Sequence, residues 1–214
     1  MKAVIFTGGR YRNRKFYAEL LNKEKPDYIL CADKGTETAL ALGITPDLVL
    51  GDFDSINPDS LKQVQQMEIP IVKHPVHKDE TDTELAITTC LKKKIDEIIL
   101  LGALGTRFDH SLSNVYLLGR LENSGVRGRI IDEYNELFIL KNKEKLKIPT
   151  GTTVSLIAYT DEAEGISLKG FEYSLNNAEL DHLAAGHGVS NVAVEEEQEI
   201  SVRKGTLLVD IVHE

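Results

Sequence analysis

Over its first 125 residues the chain alternates short apolar runs with longer amphipathic segments, and that alternation restricts it to very few folds. The runs are AVIFTG (3–8), DYILCA (27–32), DLVLGD (47–52), IPIVKH (69–74) and EIILLGA (97–103). They are near-continuous in aliphatic residues and lack the alternating polar positions of a half-exposed strand, so each reads as a strand buried on both faces. Segments with helical periodicity at 13–22, 35–42, 58–66, 81–94 and 109–123 separate them. Strand and helix in repetition predict an α/β doubly wound domain around a parallel sheet.

Beyond residue 125 the texture changes. RGRIIDEYNELFILK, TTVSLIAYT, GISLKGF and EISVRKGTLLVDIVHE are strand-like, and glycine or Asn-Asn turns separate them. Such runs predict an all-β antiparallel sandwich or small barrel. The expected domains are therefore 1–125 and 126–214, with the boundary in NSGVRG, Asn123 to Gly128. A length of 214 residues suits one full-sized domain followed by a smaller one.

A formal net charge of −9 argues against a nucleic-acid partner, because phosphate contacts need a concentrated positive face. No apolar run is long enough to cross a membrane, and the start MKAVIFTGGR breaks at glycine before a signal-peptide core forms, so the expected location is cytoplasmic. Cys31 and Cys90 have no metal spacing and read as reduced core residues. The basic cluster Arg10 to Lys15 fits either a solvated helix start or an anion contact beside Gly8-Gly9. His182 and His187 are too far apart for a single-turn metal pair, and no histidine is assigned to catalysis. The signatures GxxxxGK[ST], GxSxG and HExxH do not occur.

In an open parallel sheet, ligands bind beyond the carboxyl ends of the strands, where helix N-termini present free N–H groups. The five predicted strands exit into Gly8-Gly9, Asp33-Lys34-Gly35, Gly51 to Ser55, HKDETD (77–82) and GALGTRFDH (102–110). Each exit carries glycine, carboxylate or a cation, a set suited to a metal-bound polyphosphate. Asp52, Asp54, Asp79 and Asp82 fall on neighbouring loops. Two carboxylates about 5 Å apart repel by about 3 kcal/mol at an effective dielectric near 20, so such a cluster calls for protons or a cation. Oxygen donors without His or Cys favour Mg²⁺. Each motif also has a plainer reading. Asp52 and Asp54 could open a turn before a helix at Pro58, Thr81 and Glu84 fit a capping box, and Arg107 with Asp109 fits a surface ion pair.

GITPDLVLGDFDSI, KDETDTELA and GALGTRFDHSLSN, in this order and spacing, closely resemble thiamine pyrophosphokinases. The likeness begins at TGG and CADKGT and resumes near the C-terminus in GVSN and SVRKGTLLV. It implies transfer of the terminal diphosphate of ATP to the hydroxyl of thiamine with Mg²⁺, giving thiamine diphosphate and AMP. It also implies a nucleotide-binding catalytic domain, a β-sandwich for thiamine binding and dimerisation, and a homodimer with its thiamine pocket between subunits. Carried onto this sequence, Asp52, Asp54, Asp79 and Asp82 form the metal and phosphate centre. Thr81 and Arg107 contact phosphate, Asp33 and Asp109 shape the cleft, and Ser190 and Asn191 lie near the thiamine ring. Asp79 or Asp82 is the expected general base. VAVEEEQ after Asn191 supplies no aromatic to stack on that ring. Two rival readings remain: an aspartyl-phosphate-type phosphatase with Asp52 as nucleophile, and a non-catalytic thiamine or nucleotide sensor.

Overall fold

A computed structural model describes residues 1–76 and 79–213 of the chain. It divides into two compact units, Met1–Glu133 and Tyr134–Glu214.

In the first unit, β1 (Lys2–Phe6), α1 (Arg14–Glu24), β2 (Tyr28–Ala32), α2 (Gly35–Ala41), β3 (Leu48–Gly51), α3 (Pro58–Gln66), β4 (Ile71–Lys73), α4 (Asp82–Lys92), β5 (Glu97–Leu101), α5 (Phe108–Asn123) and β6 (Arg127–Ile131) alternate strictly. All six strands pair parallel, in the order β6-β5-β1-β2-β3-β4. The first four strands step outward from β1, and the chain then returns to place β5 on the other side of β1. A parallel sheet opens a ligand crevice where its strand order reverses in this way, here at the carboxyl ends of β1 and β5.

Burial explains the unbroken apolar runs. Val4, Phe6, Cys31, Val49, Ile99 and Leu101 pack in one cluster with Tyr17 and Val64 from the helices, while Ile5, Leu30, Leu50, Ile98 and Leu100 are also fully buried. Helix starts are set locally. Asn57 caps α3 through Asp59 N with Pro58 in the first turn. Thr81 and Glu84 form a reciprocal capping box on α4, with Glu84 N donating to Thr81 Oγ1 at 3.2 Å and Thr81 N to Glu84 Oε2 at 2.8 Å.

The second unit is antiparallel throughout. Its strands are β7 (Asn135–Leu140), β8 (Lys143–Leu146), β9 (Thr153–Ala158), β10 (Glu162–Lys169), β11 (Leu175–Asp181), β12 (Asn191–Val192), β13 (Gln198–Ser201) and β14 (Leu207–Val212). They run side by side as β12-β9-β14-β7 and as β11-β10-β13-β8. In β9, Val154, Leu156 and Ala158 point inward while the residues between them are half-buried, the alternation expected of a sheet with one covered face. They pack with Phe138, Ile166, Leu168, Ile200 and Val209 in a single core. The two units together have the predicted fold class.

Candidate active site

The carboxyl ends of the first unit's strands surround a cleft of about 470 Å³. Its walls include Thr7, Gly8 and Gly9 after β1, Asp33 and Lys34 after β2, Asp52 and Ser55 after β3, Thr81 and Asp82 at the start of α4, and Gly102, Arg107 and His110 between β5 and α5. It therefore sits over the crevice that the strand order creates. Of the fourth exit loop, residues 77 and 78 lie outside the described residues.

Asp33, Asp52 and Asp82, each half-buried, bring one carboxylate oxygen apiece within 4.8 Å of one another. Asp33 is held in an unusual backbone state. Its φ of 47° is left-handed, and it receives Ser55 Oγ on Oδ2 while its N–H donates to Leu50 O at 2.8 Å. Gly51 has φ 151°, and a Cβ there would stand 3.2 Å from the Asp33 Cα, so glycine lets the second and third exits pass each other. Asp33 Oδ1 is buried without a hydrogen-bond partner. A buried carboxylate oxygen left unpaired is costly, and a cation in the cluster would satisfy it. The all-oxygen donor set suits Mg²⁺.

Asp54 lies outside that triad and is exposed. Its N–H donates to Asp52 Oδ1 at 3.0 Å, across Phe53, whose φ of 64° turns the chain sharply. The negative charge of Asp52, then partial desolvation, and more weakly Asp33 and Asp82, hold its pKa above the usual carboxylate range. Asp79 is exposed and is not among the described residues that line the cleft. Thr81 lines it while also capping α4.

Arg107 precedes α5 and grips Asp109 with two bonds, Nε to Oδ1 at 3.2 Å and Nη2 to Oδ2 at 2.6 Å. The hydrogen bond from Arg107 brings the Asp109 carboxyl down to about 2. Both side chains are more than half exposed. The pair serves to orient the guanidinium more than to stabilise the fold.

In the second unit, Asn191 is buried and its amide is used up by backbone. Nδ2 donates to Tyr173 O at 2.7 Å, and Oδ1 accepts Tyr173 N at 3.0 Å and Val192 N at 2.9 Å. Ser190 is exposed at φ 60°, its N–H donating to Ser155 Oγ at 3.1 Å. Asn191 thus anchors Tyr173, a residue 65% exposed. Nothing in the local spacing marks Tyr173, because it lies in a different segment from GVSN. The grouping of Asp33 with Asp52 and Asp82 escapes a linear reading for a similar reason: the left-handed turn that aims Asp33 depends on Gly51 from another strand.

The two units match two family patterns. "Thiamin pyrophosphokinase, catalytic domain" fits residues 18–129, and "Thiamin pyrophosphokinase, vitamin B1 binding domain" fits residues 138–207. Thiamine pyrophosphokinase of Bacillus subtilis (strain 168) is 32% identical over 180 residues, covering 82% of this chain and 83% of that protein. A crystal structure of the Bacillus subtilis enzyme superposes with a TM-score of 0.89 at 27% identity over the whole of both chains. That of thiamin pyrophosphokinase from Geobacillus thermodenitrificans gives 0.85 at 25% identity, covering 100% of this chain and 98% of that one.

Proposed function

The chain belongs to the thiamine pyrophosphokinase family, and from that premise we propose that it transfers diphosphate from ATP to the hydroxyl of thiamine, giving thiamine diphosphate and AMP. The observation that carries this reading is the convergence of Asp33, Asp52 and Asp82 in a cleft that also holds Arg107 and the capped start of α4.

In this reading the first unit is the nucleotide-binding catalytic domain. Asp33, Asp52 and Asp82 would hold Mg²⁺, with Asp54 at the edge of the same acidic field. Bound there, Mg²⁺ neutralises polyphosphate charge and polarises phosphoryl oxygens. The remaining work falls to the chain. The α4 N-terminus with Thr81 and the Arg107 fork, steadied by Asp109, meet the phosphate oxygens that gain charge as the bond to the leaving AMP lengthens. The thiamine oxygen attacks the β-phosphorus, and a carboxylate of the loop entering α4, Asp79 or Asp82, accepts its proton.

The second unit is the thiamine-binding and dimerisation domain. Ser190 and Tyr173 are both exposed, Asn191 next to Ser190 bonds the Tyr173 backbone, and an aromatic face suits the thiazolium cation. A homodimer with the thiamine pocket between subunits completes the reading. A cytoplasmic location accords with two buried, free cysteines and with the lack, among the described residues, of any helix long and apolar enough to cross a membrane.

Incubation with Mg²⁺, ATP and thiamine tests the activity. Equal amounts of AMP and thiamine diphosphate are expected. Inorganic phosphate alone would move the protein to the hydrolases, and tight thiamine binding without AMP to the sensors.

A further inference from the structure

The loop from β1 to α1 forms one wall of the cleft through Thr7, Gly8 and Gly9, yet those residues contribute no charge to it. Backbone bonds from Thr7 N to Leu101 O at 2.9 Å and from Arg10 N to Leu104 O at 3.4 Å tie that wall to the β5 exit, and a set of side-chain ties on either side of the two glycines adds to them. On one side the Tyr11 hydroxyl lies 2.8 Å from Leu101 O and 2.9 Å from Thr7 O, and accepts Thr7 N at 3.1 Å. It therefore joins the chain as it leaves β1 to the chain as it leaves β5. Its ring stacks on Phe6 with centroids 6.1 Å apart and meets Tyr17 edge-on at 4.9 Å. On the other side Glu133, just past β6, accepts Arg12 N at 2.6 Å and Asn13 N at 2.7 Å on Oε1, and Tyr17 OH at 2.9 Å on Oε2. Burial opposes the charge on Glu133, but these hydrogen bonds outweigh it and keep the group ionised.

Neither side chain lines the cleft, and both bond backbone of the loop that flanks the two glycines. Ordering a loop at the moment of binding subtracts from affinity, so a loop tied beforehand binds more tightly without touching the ligand. We propose that Tyr11 and Glu133 are positioning residues that hold the Gly8-Gly9 backbone in register with the Asp33, Asp52 and Asp82 cluster for the polyphosphate. This rests on the reading of the cleft as the Mg·ATP site.

Tyr11→Phe removes one oxygen and keeps the ring, and Glu133→Gln removes the charge with little change of shape. For each, KM for Mg·ATP and for thiamine, kcat and the ligand-free Tm are measured, together with calorimetric binding of Mg²⁺ and a non-hydrolysable ATP analogue. The expected result is a rise of about tenfold in KM and Kd for the nucleotide, on the scale of one lost hydrogen bond, with KM for thiamine within about twofold of wild type. The two substitutions combined should cost less than the product of their separate effects, since they release the same loop. A lowered Tm with nucleotide and thiamine KM both unmoved overturns the positioning role and leaves the cleft reading standing. Failure of the wild-type protein to bind the nucleotide analogue overturns the cleft reading and the positioning role together. Should Tyr11→Phe not fold, Glu133→Gln decides by the same criteria.

Discussion

Asp33 and Asp54 show how neighbouring carboxylates acquire different prospects from backbone alone. The first is turned inward by a left-handed φ and keeps a buried, unpartnered oxygen, while the second is exposed at the rim. Asp33→Asn should therefore lower AMP release at least about 100-fold and shift its Mg²⁺ dependence to higher concentration, since even outer-shell partners of a metal are worth about 10- to 100-fold. A Mg²⁺ titration with the wild-type midpoint would remove Asp33 from the metal set. Tyr173→Ala should raise KM for thiamine about fivefold and leave KM for ATP alone, the size expected for loss of one cation–π contact. Steady-state kinetics with each substrate varied in turn decides it. Sequence reading reached the acidic loops because carboxylates at strand exits stand out. It gave Asp33 only a shaping role, and it could not see that the Asn191 amide is spent on Tyr173 backbone, because both depend on residues distant in the chain.

At the level of elements, β1, α1, β5 and β6 are joined at their far ends by a nearly buried set of charges. Arg129 Nη2 lies 2.7 Å from Glu24 and 2.8 Å from Glu97, and Lys2 Nζ is 3.3 Å from Glu97. Replacing Arg129 by Met should destabilise the protein by about 3 kcal/mol in urea, because it leaves two carboxylates sharing one lysine. Burial works against ionised Glu24, yet hydrogen bonds from Arg129 and Lys2 prevail and its pKa falls below the usual value of 4.5. A carboxyl lowered in the folded state lends its stability above the unfolded pKa and loses it as pH falls through the folded one. An acid limb should thus appear below about pH 4.5 in equilibrium unfolding, and Arg129→Met should flatten it. Thr81→Ala should cost about 1 kcal/mol through loss of the α4 cap, with Thr81→Ser recovering most of it. That capping box was legible in TDTE because both partners lie within one turn, as were the strands, whose continuous apolar runs allow only full burial. The charged set was not, since its members come from four separate segments.

For the whole molecule, ligand binding should be visible as stability. Mg·ATP held at 100 times its Kd adds about 2.7 kcal/mol to whatever unfolds with the cleft, and differential scanning calorimetry reads this as a raised transition that thiamine alone does not produce in the first unit. Sedimentation equilibrium should give twice the chain mass of 23.8 kDa for the proposed homodimer. The β1 exit also sets how freely such a molecule can drift in sequence. A methyl group on Gly8 would meet only the Lys34 Cβ at an ordinary 3.5 Å, whereas one on Gly9 would fall 1.9 Å from Gly102 O. The adjacent positions look interchangeable on paper, yet saturation mutagenesis with a folding reporter should accept alanine at the first and reject every alternative at the second. The tightest steric limit on this loop thus rests on an atom the chain does not possess.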